Sequence, residues 1–99
     1  MGMKRPKVKS FEGCEVPELA QKIYEQSLTK VHDEIGGDGF GWYGLVVYEG
    51  IPYIITVIKG NFFYKKHRNQ DATRMAWGHI CSKYERWYTE REQQTRISD

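Results

Sequence analysis

The chain has little of what marks a secreted or membrane protein. It holds only two cysteines, Cys14 and Cys81, whereas small secreted domains are usually held together by several disulfides. No apolar segment approaches the ~20 residues that cross a bilayer, and residues 1–10 are too polar for the core of a signal peptide. We therefore expect a cytoplasmic protein in a reducing compartment, with no membrane contact and no disulfide.

The chain also lacks a strong net charge. Fifteen Lys and Arg against thirteen Asp and Glu leave +2, so charge alone does not indicate a nucleic-acid or membrane partner. The charges are nevertheless segregated, because residues 1–10 carry +4, residues 11–36 carry −4 and residues 61–74 carry +3. This pattern predicts a basic N-terminal arm, an acidic first helix and a basic segment near residue 66.

Catalytic and metal-binding motifs are missing as well. His79 and Cys81 lie two residues apart on a predicted helix, about 200° around its axis, so they cannot ligate one metal ion. The glycine-rich segment 36–41 follows a helix instead of preceding one, and it lacks the lysine that closes a phosphate-binding loop. We predict that the protein is not an enzyme and has no cofactor and no metal site.

Two segments have helical periodicity. Apolar residues at three- and four-residue spacing predict a helix over residues 16–35, with Pro17 in its first turn and Gly36-Gly37 ending it. A second helix is predicted over residues 70–94, capped by Asn69 or Asp71.

Between the helices, three runs rich in Trp, Tyr, Val and Ile predict an antiparallel meander, at residues 42–48, 51–58 and 62–67. The predicted class is α+β, with the order α-β-β-β-α and the sheet packed against two helices. Residues 1–10 form a basic arm or a fourth, edge strand, and residues 11–99 form the single domain.

The three strands carry two apolar faces. Two-residue loops at Glu49-Gly50 and Gly60-Asn61 would fix the register, and side-chain alternation then assigns each residue to a face. The aliphatic face comprises Tyr43, Leu45, Val47, Ile54, Thr56, Ile58 and Phe63. The aromatic face comprises Trp42, Val46, Tyr48, Ile51, Tyr53, Ile55, Val57, Phe62 and Tyr64, with Gly44 as a gap.

An antiparallel sheet usually presents one polar face to water, and here neither face is polar. We assign the aliphatic face to the core, beneath both helices. Three arrangements then account for the aromatic face: a helix covers it, so that both faces are core; another protein or a second copy of the chain covers it; or unpaired bases stack on it.

These observations favour a small protein-interaction module, a regulator or inhibitor that masks a partner's surface, as small accessory proteins of mobile elements often do. The alternative is a nucleic-acid-binding protein that uses the same aromatic face. A protein partner, or a second copy of the chain in a homodimer, would contact Trp42, Tyr48, Tyr53, Phe62 and Tyr64. A nucleic acid would use the same aromatic residues. Phosphates or an acidic partner would contact Lys59, Lys65, Lys66 and Arg68.

Overall fold

The computed structural model describes residues 6–37 and 41–97, with side chains for residues 6–36 and 41–90. The strands form one antiparallel sheet in the order β1-β2-β3-β4. The α+β class, with two helices and a meander, is confirmed. The elements are α1 (Pro17–Thr29), β1 (Asp33–Gly37), β2 (Gly41–Tyr48), β3 (Ile51–Ile58), β4 (Asn61–Lys66) and α2 (Gln70–Ile97).

The first helix is shorter than predicted, because its expected C-terminal part is strand β1. α1 ends at Thr29, and Lys30 after it is extended. Residues 33–37 then pair with β2, with Ile35 opposite Tyr43. The prediction of one helix over residues 16–35 is wrong at its C-terminal end. The backbone groups there make their hydrogen bonds with β2 instead of forming the further helical turn that the apolar periodicity predicts.

The fourth strand therefore lies at residues 33–37, and the N-terminal segment braces the opposite edge of the sheet. The N–H groups of Lys9 and Ser10 donate to the carbonyl oxygen of Gly60, at 2.7 and 3.2 Å. The N–H of Phe62 donates to the carbonyl oxygen of Ser10, which makes a single parallel bridge beside β4. The first half of the predicted arm, with Lys4 and Arg5, lies outside the described residues.

Two turns with positive φ set the strand register. Glu49 and Gly50 have φ of 50° and 78°, and Lys59 and Gly60 have φ of 52° and 83°. Positive φ at both central residues is typical of type I′ hairpin turns. The second loop is Lys59-Gly60 instead of Gly60-Asn61, which shifts the register by two residues and leaves every side chain on its predicted face.

One helix lies on each face of the sheet. On the aliphatic face, the indole N–H of Trp77 in α2 donates to Oδ2 of Asp33 at 2.9 Å, and Asp33 pairs with Leu45 of this face. Of the three arrangements, the structure has the one in which a helix covers the aromatic face, and the assignment of both helices to the aliphatic face is wrong. On the aromatic face, Ala20 and Ile23 of α1 are buried with Trp42, Val46, Tyr53, Ile55, Val57 and Phe62.

Helix α2 begins where the sequence predicts. The N–H of Ala72 donates to Oδ1 of Asn69 at 2.8 Å, so Asn69 is the predicted N-terminal cap. The helix continues to Ile97 and has 28 residues.

In the first hairpin turn, Glu49 has a positive φ, which glutamate adopts less readily than asparagine does. Replacing Glu49 by Asn should raise the free energy of unfolding by about 0.5–1 kcal/mol, because Asn adopts positive φ with less steric strain. Urea unfolding measures the change, and Glu49→Gln is the control that removes the same charge without this advantage. Equal stability of the two variants would contradict a type I′ turn at this position.

Candidate functional site

Most of the predicted partner-binding aromatics lie in the core. Trp42 and Tyr53 are each 4% exposed and Phe62 is fully buried, because α1 covers them. Tyr48 and Tyr64 are half-buried and pack against the same cluster. Of the three arrangements expected for this face, the structure has the one in which a helix covers it, so Trp42, Tyr53 and Phe62 are not accessible to a partner.

The gap expected at Gly44 is filled from within the chain. A Cβ atom at Gly44 would lie 2.7 Å from Cη2 of Trp42, so the indole ring lies across this glycine. The indole N–H of Trp42 donates to Oε2 of Glu34 at 3.1 Å. The glycine thus admits the chain's own tryptophan and leaves no room there for an external ring.

Aromatic rings also close the end of the core nearest β4. Phe11 lies between the N-terminal segment and α1, with its ring centroid 5.9 Å from that of Tyr24 and 5.3 Å from that of Phe62. Tyr24 and Phe62 complete the group with an edge contact at 5.7 Å. Such tilted pairs stabilise a core beyond their burial, which ties α1 and the N-terminal segment to the same strand.

The opposite face is only partly covered. Ile58 is 40% exposed and Phe63 is 38% exposed, at the end of β3 and β4 away from the start of α2. Phe63 pairs with Thr56 and Ile58 pairs with Asn61, so Ile58 and Phe63 are diagonal neighbours, about 7–8 Å apart, on one face. We call this surface the open corner; it comprises Ile58, Lys59, Asn61, Phe63 and Lys65.

The open corner has a fixed shape on one side. The ring of Phe63 packs directly against Gly13, where there is no room for a Cβ atom. On the floor beside it, the hydroxyl of Thr56 is buried and has no hydrogen-bond partner. The corner therefore presents a positioned aromatic ring and a neighbouring aliphatic side chain, and the Thr56 hydroxyl stays buried beneath them.

The four predicted cationic residues are all exposed, but they point to different sides. Lys65 pairs with Ile54 and lies on the face of the open corner, whereas Lys66 pairs with Tyr53 and lies on the other face. Lys59 is in the turn next to the corner, and Arg68 follows the end of β4. The structure thus brings Lys59 and Lys65 close to Ile58 and Phe63 and separates Lys66 from them.

Sequence reasoning placed Ile58 and Phe63 in the core and so missed them as surface residues. A usable signal was present in β4, where the residues on one face are Asn61, Phe63 and Lys65. Two polar residues flanking one aromatic at a spacing of two indicate a strand face that reaches solvent.

The two thiols are poor candidates for nucleophiles. Both cysteines are free, as expected. Burial raises the pKa of Cys14, whose Sγ donates to the carbonyl oxygen of Phe62 at 3.1 Å, while the N–H of Tyr64 acts in the opposite direction. Burial also raises the pKa of Cys81, helped by the negative charges of Asp33 and Glu85. A thiol with a raised pKa stays protonated at neutral pH and reacts slowly.

The described part of the chain gives no indication of a metal site or of a membrane-spanning helix. There, no three His, Cys, Asp or Glu side chains come together in a way that could hold a metal ion. Among the same residues, no helix is long and apolar enough to cross a membrane. Comparisons with protein-family models, curated proteins and solved structures find no match to this chain. Its function must therefore be inferred from its own surface.

One partly buried histidine should make the free energy of unfolding depend on pH. His67 follows β4. Its backbone N–H donates to the carbonyl oxygen of Pro52 at 3.3 Å, while the Nε2 atom of its imidazole ring is buried without a partner. Burial lowers the pKa of His67, and the positive charge of Lys65 lowers it further.

Because the pKa of His67 is lower in the folded state than its value of about 6.5 in the unfolded chain, the unfolded chain binds more protons in the window below pH ~6.5. The free energy of unfolding should be highest above this window and fall as the pH drops through it. Urea unfolding at about pH 7.5 and pH 5.5 should show a smaller decline for His67→Gln than for the wild type. An identical decline would contradict a buried, neutral His67.

Two adjacent phenylalanines test which face is core. Phe62→Ala should lower the free energy of unfolding by about 3–5 kcal/mol, because it leaves a cavity beneath α1. Phe63→Ala should cost about 1 kcal/mol, since its ring is already partly in water. Urea unfolding compares them, with Phe62→Leu as the substitute if Phe62→Ala does not fold. Equal losses at both positions would contradict the assignment of the faces.

Proposed function

We propose that this chain is a small non-enzymatic protein-binding module that masks an acidic, partly apolar patch on another protein, and so acts as a regulator or inhibitor. The observation that carries the proposal is the open corner, where Ile58 and Phe63 are exposed side by side and Lys59 and Lys65 flank them.

The composition of the open corner suits a protein partner. Exposed apolar residues scattered singly are ordinary on a soluble protein, whereas adjacent apolar side chains with a polar rim are typical of binding surfaces. An aromatic ring at the centre can supply much of the binding energy, and flanking charges select the partner and speed association. The two lysines require carboxylates on the partner, and the apolar pair requires an apolar patch between them.

The alternative, a nucleic-acid-binding protein, is favoured by one observation. Helix α1, which carries Glu18 and Glu25, lies on the aromatic face, so Lys65 points to the side of the sheet away from these carboxylates. Against this alternative, stacking needs several exposed rings, and Trp42, Tyr53 and Phe62 are buried. Ile58 has no aromatic ring on which a nucleic-acid base could stack.

We further propose that the protein works in the cytoplasm. Two free thiols in a small domain are typical of a reducing compartment. A non-enzymatic role agrees with the raised pKa values of both thiols.

The test is affinity capture from the source cell with four baits. The baits are the wild type, Phe63→Ser, Lys65→Glu and the control Met75→Ser, which removes an apolar side chain that is 69% exposed on α2. A genuine partner should be captured by the wild type and by Met75→Ser, and lost with the other two. Each captured protein is then purified, and its binding is titrated at low and high salt.

We expect Phe63→Ser to weaken the binding of the purified partner at least about tenfold, as loss of a central aromatic contact does. Lys65→Glu should weaken it mainly at low salt, where the lysine attracts carboxylates. A partner that binds Phe63→Ser as tightly as the wild type would refute the open corner as the binding surface. Salt-sensitive binding of a labelled oligonucleotide, lost with Lys65→Glu, would favour the alternative function instead.

A further inference from the structure

Along the line of α2 residues from Thr73 to Tyr88 that faces the sheet, the side chains are more exposed toward the C-terminal end. Thr73 and Trp77 are 3% and 8% exposed over the sheet. Ile80 and Tyr84 on the same stripe are half-buried, and Tyr88 is 49% exposed. The helix therefore continues to present an apolar side after the sheet has ceased to cover it.

The dimensions of the elements explain this gradient. With 28 residues at ~1.5 Å per residue, α2 is about 42 Å long. The longest strands have 8 residues and span about 26 Å, so the sheet cannot cover the whole helix. The radius of gyration of 14.6 Å also exceeds the ~13 Å of a compact chain of this length. An isolated helix of a few turns is only marginally stable in water, so burial against a partner would stabilise the projecting part.

Aromatic rings are concentrated on the projecting part. Tyr84 stacks on Tyr88 with ring centroids 6.3 Å apart and an interplanar angle of 25°, and it contacts Trp87 at 5.9 Å. These contacts are local to the helix. They fix the ring of Tyr88 in an orientation that leaves half of its surface in water.

The charges beside this stripe are self-complementary. Lys83 and Glu90 are both exposed and lie seven residues apart, so they share one flank of α2, within about 20° around its axis. When two identical helices pack antiparallel, this flank of one helix faces the same flank of the other. Each Lys83 then meets Glu90 of the partner subunit, and the symmetric pair forms twice. A parallel pairing offers no such match.

We propose that the projecting part of α2 packs antiparallel against the same segment of a second copy of this chain, with Tyr88 in the contact and the Lys83–Glu90 pairs setting the direction. The resulting homodimer buries the exposed end of the apolar stripe. The proposal does not depend on the proposed function, because the open corner lies on the sheet and contributes no residue to this contact.

The test begins with the oligomeric state of the full chain, measured by light scattering and sedimentation from low to high micromolar concentration. The wild type should shift from monomer to dimer as its concentration rises. Tyr88→Ser should remain monomeric over this range, and Met75→Ser, which changes the outer side of α2, should dimerise like the wild type. Circular dichroism verifies that each variant is folded, and variants that lose helix are replaced by Tyr88→Gln.

A charge swap tests the arrangement itself. Lys83→Glu alone and Glu90→Lys alone each place like charges opposite one another, and each should weaken dimerisation about fivefold to thirtyfold at low salt. The double variant Lys83→Glu with Glu90→Lys should restore the wild-type dissociation constant, which a merely structural role of either residue would not allow. A wild type that stays monomeric, or a double variant no tighter than the single ones, would overturn the proposal. The capture experiment with Phe63→Ser tests the open corner and not this dimer, so the two proposals can fail separately.

Discussion

The burial of the aromatic face beneath α1 is the interaction on which the rest of the molecule depends. Ala20 and Ile23 of the helix are fully buried against Trp42, Tyr53 and Phe62 of the sheet. Gly44 contributes by giving the Trp42 indole a place to lie. Because α1 removes these large rings from water, its packing against the sheet supplies much of the apolar burial that stabilises the fold.

The same arrangement leaves the other face with a looser cover. α2 is anchored at its start by the Asn69 cap and over β1 by the bond between Trp77 and Asp33. From there it continues away from the sheet, so that one end of β3 and β4 stays open and the distal helix projects. Both surfaces that we propose for binding follow from the course of α2, which covers one end of the sheet face and then continues beyond it.

The sequence predicted the class, the meander, the start of α2 and the membership of both faces, because these depend on local periodicity and turn chemistry. It failed at residues 33–37. Their apolar spacing suits a helix, but they pair with β2, and this pairing depends on tertiary contacts that local periodicity does not report. It also failed to say which face each helix covers. The two faces are similarly apolar, so the composition of the strands does not distinguish them, and the choice depends on tertiary packing. The adjacent Phe62 and Phe63 show the consequence, since one is fully buried and the other 38% exposed.

The placement of the helices also decides which charges surround the open corner. Helix α1 carries Glu18 and Glu25 against Lys22, a net charge of −1, and lies on the aromatic side of the sheet. Lys65 points to the other side of the sheet, on the face of Phe63. A partner with carboxylates on its surface is therefore attracted to this corner, although the net charge of the chain is only +2. A local cation beside an exposed ring thus gives binding a direction that the net charge of the chain does not.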